Sequence, residues 1–197
     1  MIFMAFILSY LESKFYMQNN ATDKLSPLKK LTTEQQDLVN QIINFTDQHL
    51  QNNYPAIFTI YGDAGTGKSV VLSALFDQMQ KLRHDKNSNF YQTNNYFLVN
   101  HPEILKVYKQ IAGSLPELLK KNFQRPTSFI NQLDKKQKKA DIVIIDEAHL
   151  LLSKPDHYNN FYHDNQLVEV IKRSKVVILV FDPYQVLKMK TLWTKDR

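Results

Sequence analysis

Apolar residues along the chain fall into two patterns, continuous runs and stripes with a spacing of three to four residues. The continuous runs, most of them rich in β-branched residues, cover 56–61, 96–100, 141–146 and 175–181. Striped segments lie between and before them, beginning near 31, 70, 101 and 166. Such runs predict strands buried on both faces, and such stripes predict helices with one face on a core. Their alternation predicts an α/β fold, a three-layer sandwich in which helices flank a central parallel sheet.

Capping and proline signals mark the helix boundaries. Thr32 or Thr33 is suited to cap the first helix, and Pro102 is suited to the first turn of the helix after the second strand. The segment between 112 and 139 is expected to hold further helices, broken at Gly113, Pro116 and Pro126.

The first thirty residues differ from the rest. Residues 1–11 are apolar, but the run stops at Glu12, whereas a membrane span needs roughly 20 such residues. The run also lacks a basic start and an obvious cleavage site, so neither a signal peptide nor a membrane partner is expected. Residues 12–30 are polar and predict a linker. We therefore expect an N-terminal segment at 1–30 and one domain at 31–197.

The composition is that of an ordinary soluble domain. The chain has 197 residues, of which 43% are hydrophobic and 22% charged, enough for one sizeable core. It contains no cysteine, which excludes disulfides and thiolate metal sites and fits a cytoplasmic location. The six histidines show no metal-ligand spacing.

The net charge of +6 permits contact with nucleic acid without demanding it. The densest basic run is Lys135-Lys136-Gln137-Lys138-Lys139, directly before a buried strand. The favoured interpretation is the solvated end of a helix, and the alternative is a contact with a phosphate backbone.

Residues 62–69 carry the most informative motif, because they match the pattern G-x-x-x-x-G-K-[ST] between a strand and a helix. Their sequence is Gly62, Asp63, Ala64, Gly65, Thr66, Gly67, Lys68, Ser69. In such a loop the backbone N–H groups surround a polyphosphate, and the following helix adds the positive end of its dipole. Lys68 is expected to contact the β- and γ-phosphates, and the Ser69 hydroxyl to hold Mg²⁺.

A second motif, Asp146-Glu147-Ala148-His149, follows the most hydrophobic strand. In P-loop enzymes the acid at the end of this strand binds Mg²⁺, usually through water, and Asp146 fits that role. The adjacent Glu147 fits a base that accepts a proton from the attacking water. The two motifs together predict hydrolysis of a nucleoside triphosphate with Mg²⁺.

Three further features resemble helicase motifs. The Asp-Glu-Ala-His sequence is a helicase-type form of the acidic motif, and Leu31-Thr32-Thr33-Glu34-Gln35 resembles the motif in which a glutamine, here Gln35, reads adenine. Phe181-Asp182-Pro183-Tyr184-Gln185 resembles the third motif of superfamily 1, which makes Gln185 the γ-phosphate sensor, although Phe181 stands where glycine is usual. Over residues 31–185 the chain looks like the first RecA-like domain of a superfamily 1 helicase, closest to the bacterial Schlafen-group helicase-like family.

The resemblance implies an ATP-binding domain that acts on DNA or RNA when complete. Helicases of this kind use an arginine from a second RecA-like domain, and neither Arg173 nor Arg197 lies in a matching motif. We therefore expect the first half of a motor, a weak ATPase in isolation, with the arginine supplied by a second domain or a partner protein. The alternatives are a regulatory ATPase of the AAA+ or signalling type without nucleic acid, a nucleotide-binding module with little turnover and, less favoured, a small-molecule kinase.

Overall fold

A five-stranded parallel sheet forms the middle layer of the domain. The computed structural model describes residues 21–62 and 65–182. Its strands are β1 (Ala56–Tyr61), β2 (Asn95–Val99), β3 (Phe123–Gln124), β4 (Ala140–Asp146) and β5 (Ser174–Phe181). They lie in the order β1-β5-β4-β2-β3, and every pairing is parallel. The predicted α/β sandwich of the RecA-like type is confirmed.

Helices cover both faces of this sheet. They are α1 (Thr33–His49), α2 (Lys68–Leu82), α3 (Pro102–Ser114), α4 (Pro126–Lys136) and α5 (Gln166–Lys172). Three short 3-10 turns lie at Lys120–Asn122, Ala148–Leu150 and His157–Asn159. The side chains of α1, α2 and α3 share one core and those of α4 and α5 share the other.

Strand β4 shows why the strands read as continuous apolar runs. Ile142 and Ile144 face the core of α1 to α3, whereas Val143 and Ile145 face the core of α4 and α5. All four are at most 1% exposed. Successive side chains of a strand point to opposite faces, so a strand covered on both sides needs apolar residues at every position.

The predicted helix starts are confirmed at both places. Thr32 is the N-cap of α1 and forms a capping box with Gln35. Pro102 lies in the first turn of α3, where the missing N–H costs no hydrogen bond, and the His101 side chain accepts from the Ile104 N–H at that end.

Two expectations about irregular segments were wrong. Residues 21–25 are helical within the expected linker, and Leu25 packs on the core of α1 to α3. Gly113 does not break a helix but lies within α3, one residue before its end. Pro126 marks an element boundary as expected and begins α4, because proline fixes the backbone angle that a first helical turn requires. Over the described ranges, no helix combines the length and the apolar character needed to cross a bilayer.

Candidate nucleotide-binding site

The sheet topology brings three polar segments to one edge. β1 leads into Gly62, β4 ends at Asp146, and β5 leads into Asp182. β5 lies between β1 and β4, so Asp182 is placed between the glycine loop and the acidic motif. The carboxyl ends of parallel strands are where ligands of open α/β sheets bind.

The glycine loop holds backbone conformations that only glycine adopts without strain. Gly65 and Gly67 have φ angles of +84° and +83°. Lys68 folds back over the loop, and its Nζ donates to the Gly62 carbonyl at 2.8 Å. Asp63 and Ala64 lie outside the described residues. The lysine is therefore held at the mouth of the loop, where a phosphate would be bound.

Gln35 reaches this loop from α1. Its Oε1 accepts from the Thr32 N–H at 3.1 Å, and its backbone N–H donates to the Thr32 hydroxyl at 3.3 Å. Its Nε2 lies so close to Gly67 that a Cβ on that glycine would be 2.6 Å away. The capping box thus orients the carboxamide against the loop, and the predicted adenine-reading residue lies beside the predicted phosphate site.

Asp146 is the buried centre of the site. It is 1% exposed, its Oδ1 accepts from the Ser69 hydroxyl at 3.2 Å, and its Oδ2 accepts from the Tyr108 hydroxyl at 3.0 Å. Burial, and next the charge of Glu147, raise the pKa of Asp146 to about 6. Burial also raises the pKa of Tyr108 well above its usual value, so the tyrosine stays neutral and donates.

Glu147 follows with a left-handed backbone, φ +55°. This conformation is uncommon for a residue with a side chain and marks a position held by its surroundings. Partial burial raises its pKa, the nearby Lys68 opposes that shift, and Asp182 adds to it. The Glu147 Oε2 is 3.1 Å from Nε2 of His149, which is 1% exposed. The carboxylate therefore lies beside an imidazole, and the charge of Lys68 favours its ionised form.

The end of β2 supports the acidic motif from its other side. The Asn100 Nδ2 donates to the Leu150 carbonyl at 2.6 Å, which fastens the turn after Glu147 to the next strand. The nearby His101 ring slightly lowers the pKa of Glu147. No pattern in the sequence indicated these contacts, nor the role of Tyr108, which occupies one position of an apolar helical stripe.

Of three further predicted or considered residues, the structure describes only Arg173. Gln185 and Arg197 lie outside the described residues. Arg173 is engaged at the other end of the sheet, where it precedes β5 and binds Asp134 and Glu169. It therefore has a structural role as the anchor between α4 and α5.

The donor set fits a magnesium ion that is held largely by its nucleotide. Among the described residues no group of three or more His, Cys, Asp or Glu could hold a metal by itself. Mg²⁺ usually retains waters and takes only one or two protein carboxylates together with substrate phosphates. The Ser69 hydroxyl and the Asp146 carboxylate, already in contact, match that requirement.

A glycine loop between strand and helix, a buried acid at the end of another strand of the same sheet and an all-parallel arrangement together define a P-loop domain of the RecA-like type. More specifically, the chain belongs to the family described as "Schlafen group 3, DNA/RNA helicase domain", which matches residues 55–197.

Two curated proteins are similar to the chain. The uncharacterized protein YPL245W of Saccharomyces cerevisiae is 41% identical over 185 residues, which cover 90% of this chain. The chain spans 40% of the length of that protein. The ORC1-type DNA replication protein 5 of Halobacterium salinarum is 36% identical over 52 residues, or 26% of this chain and 12% of its own length.

Proposed function

We propose that this chain is the ATP-binding domain of a helicase-like motor in which ATP hydrolysis is coupled to DNA or RNA. The contact between Ser69 and Asp146 is the observation that carries the proposal, because it joins the glycine loop to the acidic motif across the sheet edge. The family description and the replication-protein relative support the nucleic-acid partner.

Each residue of the site has its own role in this proposal. The loop backbone and Lys68 bind the phosphates, and Ser69 with Asp146 holds Mg²⁺, which when bound neutralises charge on the phosphates. Tyr108 orients the Asp146 carboxylate through its hydroxyl. Gln35 is assigned the reading of adenine, and the proximity of its Nε2 to Gly67 supports that assignment.

Glu147 accepts a proton from the attacking water in this proposal. A base works best with a pKa near the working pH, and partial burial shifts the pKa of Glu147 upward in that direction. An arginine from a second RecA-like domain or a partner would complete the site. Such a residue contributes roughly 10³ to 10⁵ in rate in related hydrolases.

Substitution Glu147→Gln should leave ATP affinity within about twofold and abolish turnover, because the amide keeps the shape of the side chain and cannot accept the proton. Equilibrium binding measures the ATP affinity and phosphate release measures the turnover, both on the same preparation. Undiminished phosphate release would show that the base lies elsewhere.

The coupling is tested by ATP turnover at low salt, without nucleic acid and with single-stranded DNA or RNA. The proposal expects turnover that rises with nucleic acid, and a salt-dependent affinity for the strand. The Glu147→Gln variant is the control for contaminating hydrolases. ATP-dependent self-association with no response to nucleic acid would favour a regulatory ATPase instead.

A further inference from the structure

Asn100 follows β2 at the sheet edge that carries the acidic motif. β2 and β4 pair in parallel, with Val99 opposite Asp146. Asn100 and Glu147 are the next residues along the chain after these two, and segments that follow parallel strands start at the same edge of the sheet. Asn100 is therefore placed beside the residue that the proposed function makes the base.

The turn after Glu147 is closed by its own backbone and tied to Asn100 by a side-chain bond. The Leu150 N–H donates to the Glu147 carbonyl at 2.9 Å. The Asn100 Nδ2 donates to the Leu150 carbonyl at 2.6 Å, and over the described ranges no backbone N–H is bonded to that carbonyl. The first bond fixes the shape of the turn, and the second fixes its position relative to β2.

Glu147 needs this support because its backbone conformation is unfavourable by itself. Its φ and ψ angles are +55° and +52°, a left-handed region that glycine, asparagine and aspartate visit more readily than glutamate. Residues in such regions persist only where the surrounding structure holds them. A displaced turn would allow Glu147 to relax. Its carboxylate would then move away from His149, whose Nε2 is 3.1 Å from the Glu147 Oε2.

Tyr108, on the helix that follows Asn100, supports a different residue of the site. Its hydroxyl donates to Asp146 Oδ2 at 3.0 Å, so it acts on the proposed Mg²⁺ ligand. Asn100 acts on the turn that begins at Glu147. The two side chains should therefore have separable effects, on Mg–ATP affinity for Tyr108 and on turnover for Asn100.

We propose that Asn100 is a positioning residue for hydrolysis, which holds Glu147 where it can accept a proton from the attacking water. It acts through the turn rather than on the nucleotide. A displacement of about 1 Å in a reacting group can reduce a rate roughly a hundredfold, so a single amide that fixes the turn has a large effect on turnover. This proposal rests on the proposed function, because Glu147 is the base there.

Asn100→Leu tests the proposal, because it removes the N–H donor at nearly the same side-chain size. The kcat for ATP should fall at least about tenfold, while the Kd for Mg–ATP stays within about twofold. Asn131→Leu is the matched control, because it removes an asparagine that donates to another loop carbonyl, that of Asn160 at 3.3 Å. Equal loss of kcat in the two variants, or ATP binding that weakens together with kcat in Asn100→Leu, would overturn the positioning role.

Hydrogen exchange measured by NMR on the ligand-free chain tests the position of the turn without turnover. The Leu150 N–H should exchange at least about tenfold faster in Asn100→Leu. The Leu105 N–H, bonded to the His101 carbonyl at 2.9 Å, should be unaffected, which shows that α3 stays folded.

Unchanged exchange at Leu150, or faster exchange with undiminished kcat, would overturn the positioning role of Asn100. An unaltered chain that hydrolyses no ATP would contradict the proposed function instead. The exchange of Leu150 would still decide whether Asn100 holds the turn.

Discussion

At the residue scale, burial of the Asp146 carboxylate costs free energy, and the same carboxylate is the proposed Mg²⁺ ligand. Removing its carboxylate from water destabilises the ionised form, and two hydroxyl donors only partly compensate for that burial. In the proposed function this carboxylate is a Mg²⁺ ligand, a role that requires its charged form. A residue of this kind is expected to lower stability in the absence of its ligand.

Substitution Asp146→Asn should stabilise the ligand-free domain at pH 7 to 8 by about 1 to 3 kcal/mol, since each pKa unit corresponds to about 1.36 kcal/mol. The pKa of Asp146 is raised to about 6 from its ordinary value of 3.8, so the folded state binds the proton more tightly than the unfolded state. The penalty is therefore present above pH 6 and disappears as the pH falls toward 3.8.

Thermal unfolding of both proteins between pH 4.5 and 8 checks this prediction. The difference in Tm should shrink as the pH falls, and Mg²⁺-dependent ATP binding by Asp146→Asn should be lost. A lower Tm for the variant at pH 8 would show that the hydroxyl hydrogen bonds to the carboxylate stabilise the fold by more than its burial costs.

Tyr108 acts on the same carboxylate from α3. Its hydroxyl bond lowers the pKa of Asp146, so Tyr108→Phe should raise that pKa further. More of the carboxyl is then protonated near neutral pH, and Mg–ATP affinity should fall a few-fold at pH 6.5 and recover at pH 8.5.

Binding titrations across this pH range measure the effect. Tyr96→Phe is the matched control, because Tyr96 packs on Phe129, in the other core of the sheet. A pH-independent decrease of affinity in Tyr108→Phe would assign the tyrosine a packing role only.

At the scale of elements, the junction between α1 and α2 holds the glycine loop. Gly67→Ala should destabilise the domain by about 1 to 3 kcal/mol and weaken ATP binding, because it combines a left-handed φ with a Cβ only 2.6 Å from Gln35 Nε2. In the double variant with Gln35→Ala, the loss of stability caused by the clash should disappear. The loss caused by the left-handed backbone should remain.

Chemical denaturation of the two single variants and the double variant gives the coupling energy. If the changes that Gly67→Ala and Gln35→Ala make to the free energy of unfolding simply add in the double variant, Gln35 does not contact the loop. The matched control is Gln36→Ala, one position along the same helix.

The strands and helices could be predicted because each carries its own periodicity. The run at 175–181 and the strand at Ser174–Phe181 differ by one residue at one end. The two-residue strand β3 is too short to show a pattern, and Pro126 carries the same signal for a helix start as for a break. Local pattern therefore predicted the elements but not the shortest strand.

The proximity of the glycine loop and the acidic motif was predictable because both follow strands of one parallel sheet. Gly62 follows β1 and Asp146 ends β4, so the parallel sheet places them at the same edge. Tyr108 was not predictable, since its contact with Asp146 depends on how α3 packs, and a tyrosine on an apolar stripe reads as core. The Asn100 contact likewise depends on the path of the turn after Glu147.

At the scale of the whole molecule, the sheet separates two polar regions. The candidate nucleotide site lies at the carboxyl ends of the strands, and a pocket lined by Arg83, Lys121 and Lys136 lies beside the beginning of β2. The basic run at 135–139 ends α4, as the favoured interpretation predicted, and Lys136 also lines the pocket. The sheet therefore keeps this basic helix end away from the candidate nucleotide site.

The most direct test of the account is Mg²⁺-dependent ATP binding, measured by calorimetry on the unaltered chain, on Lys68→Ala and on the exposed control Lys86→Ala. The unaltered chain and Lys86→Ala are expected to bind ATP only when Mg²⁺ is present. The affinity of Lys68→Ala for ATP should be at least about a hundredfold weaker, because the cation on the β- and γ-phosphates is removed. Equal affinity in all three proteins, or no binding by the unaltered chain at millimolar ATP, would contradict it.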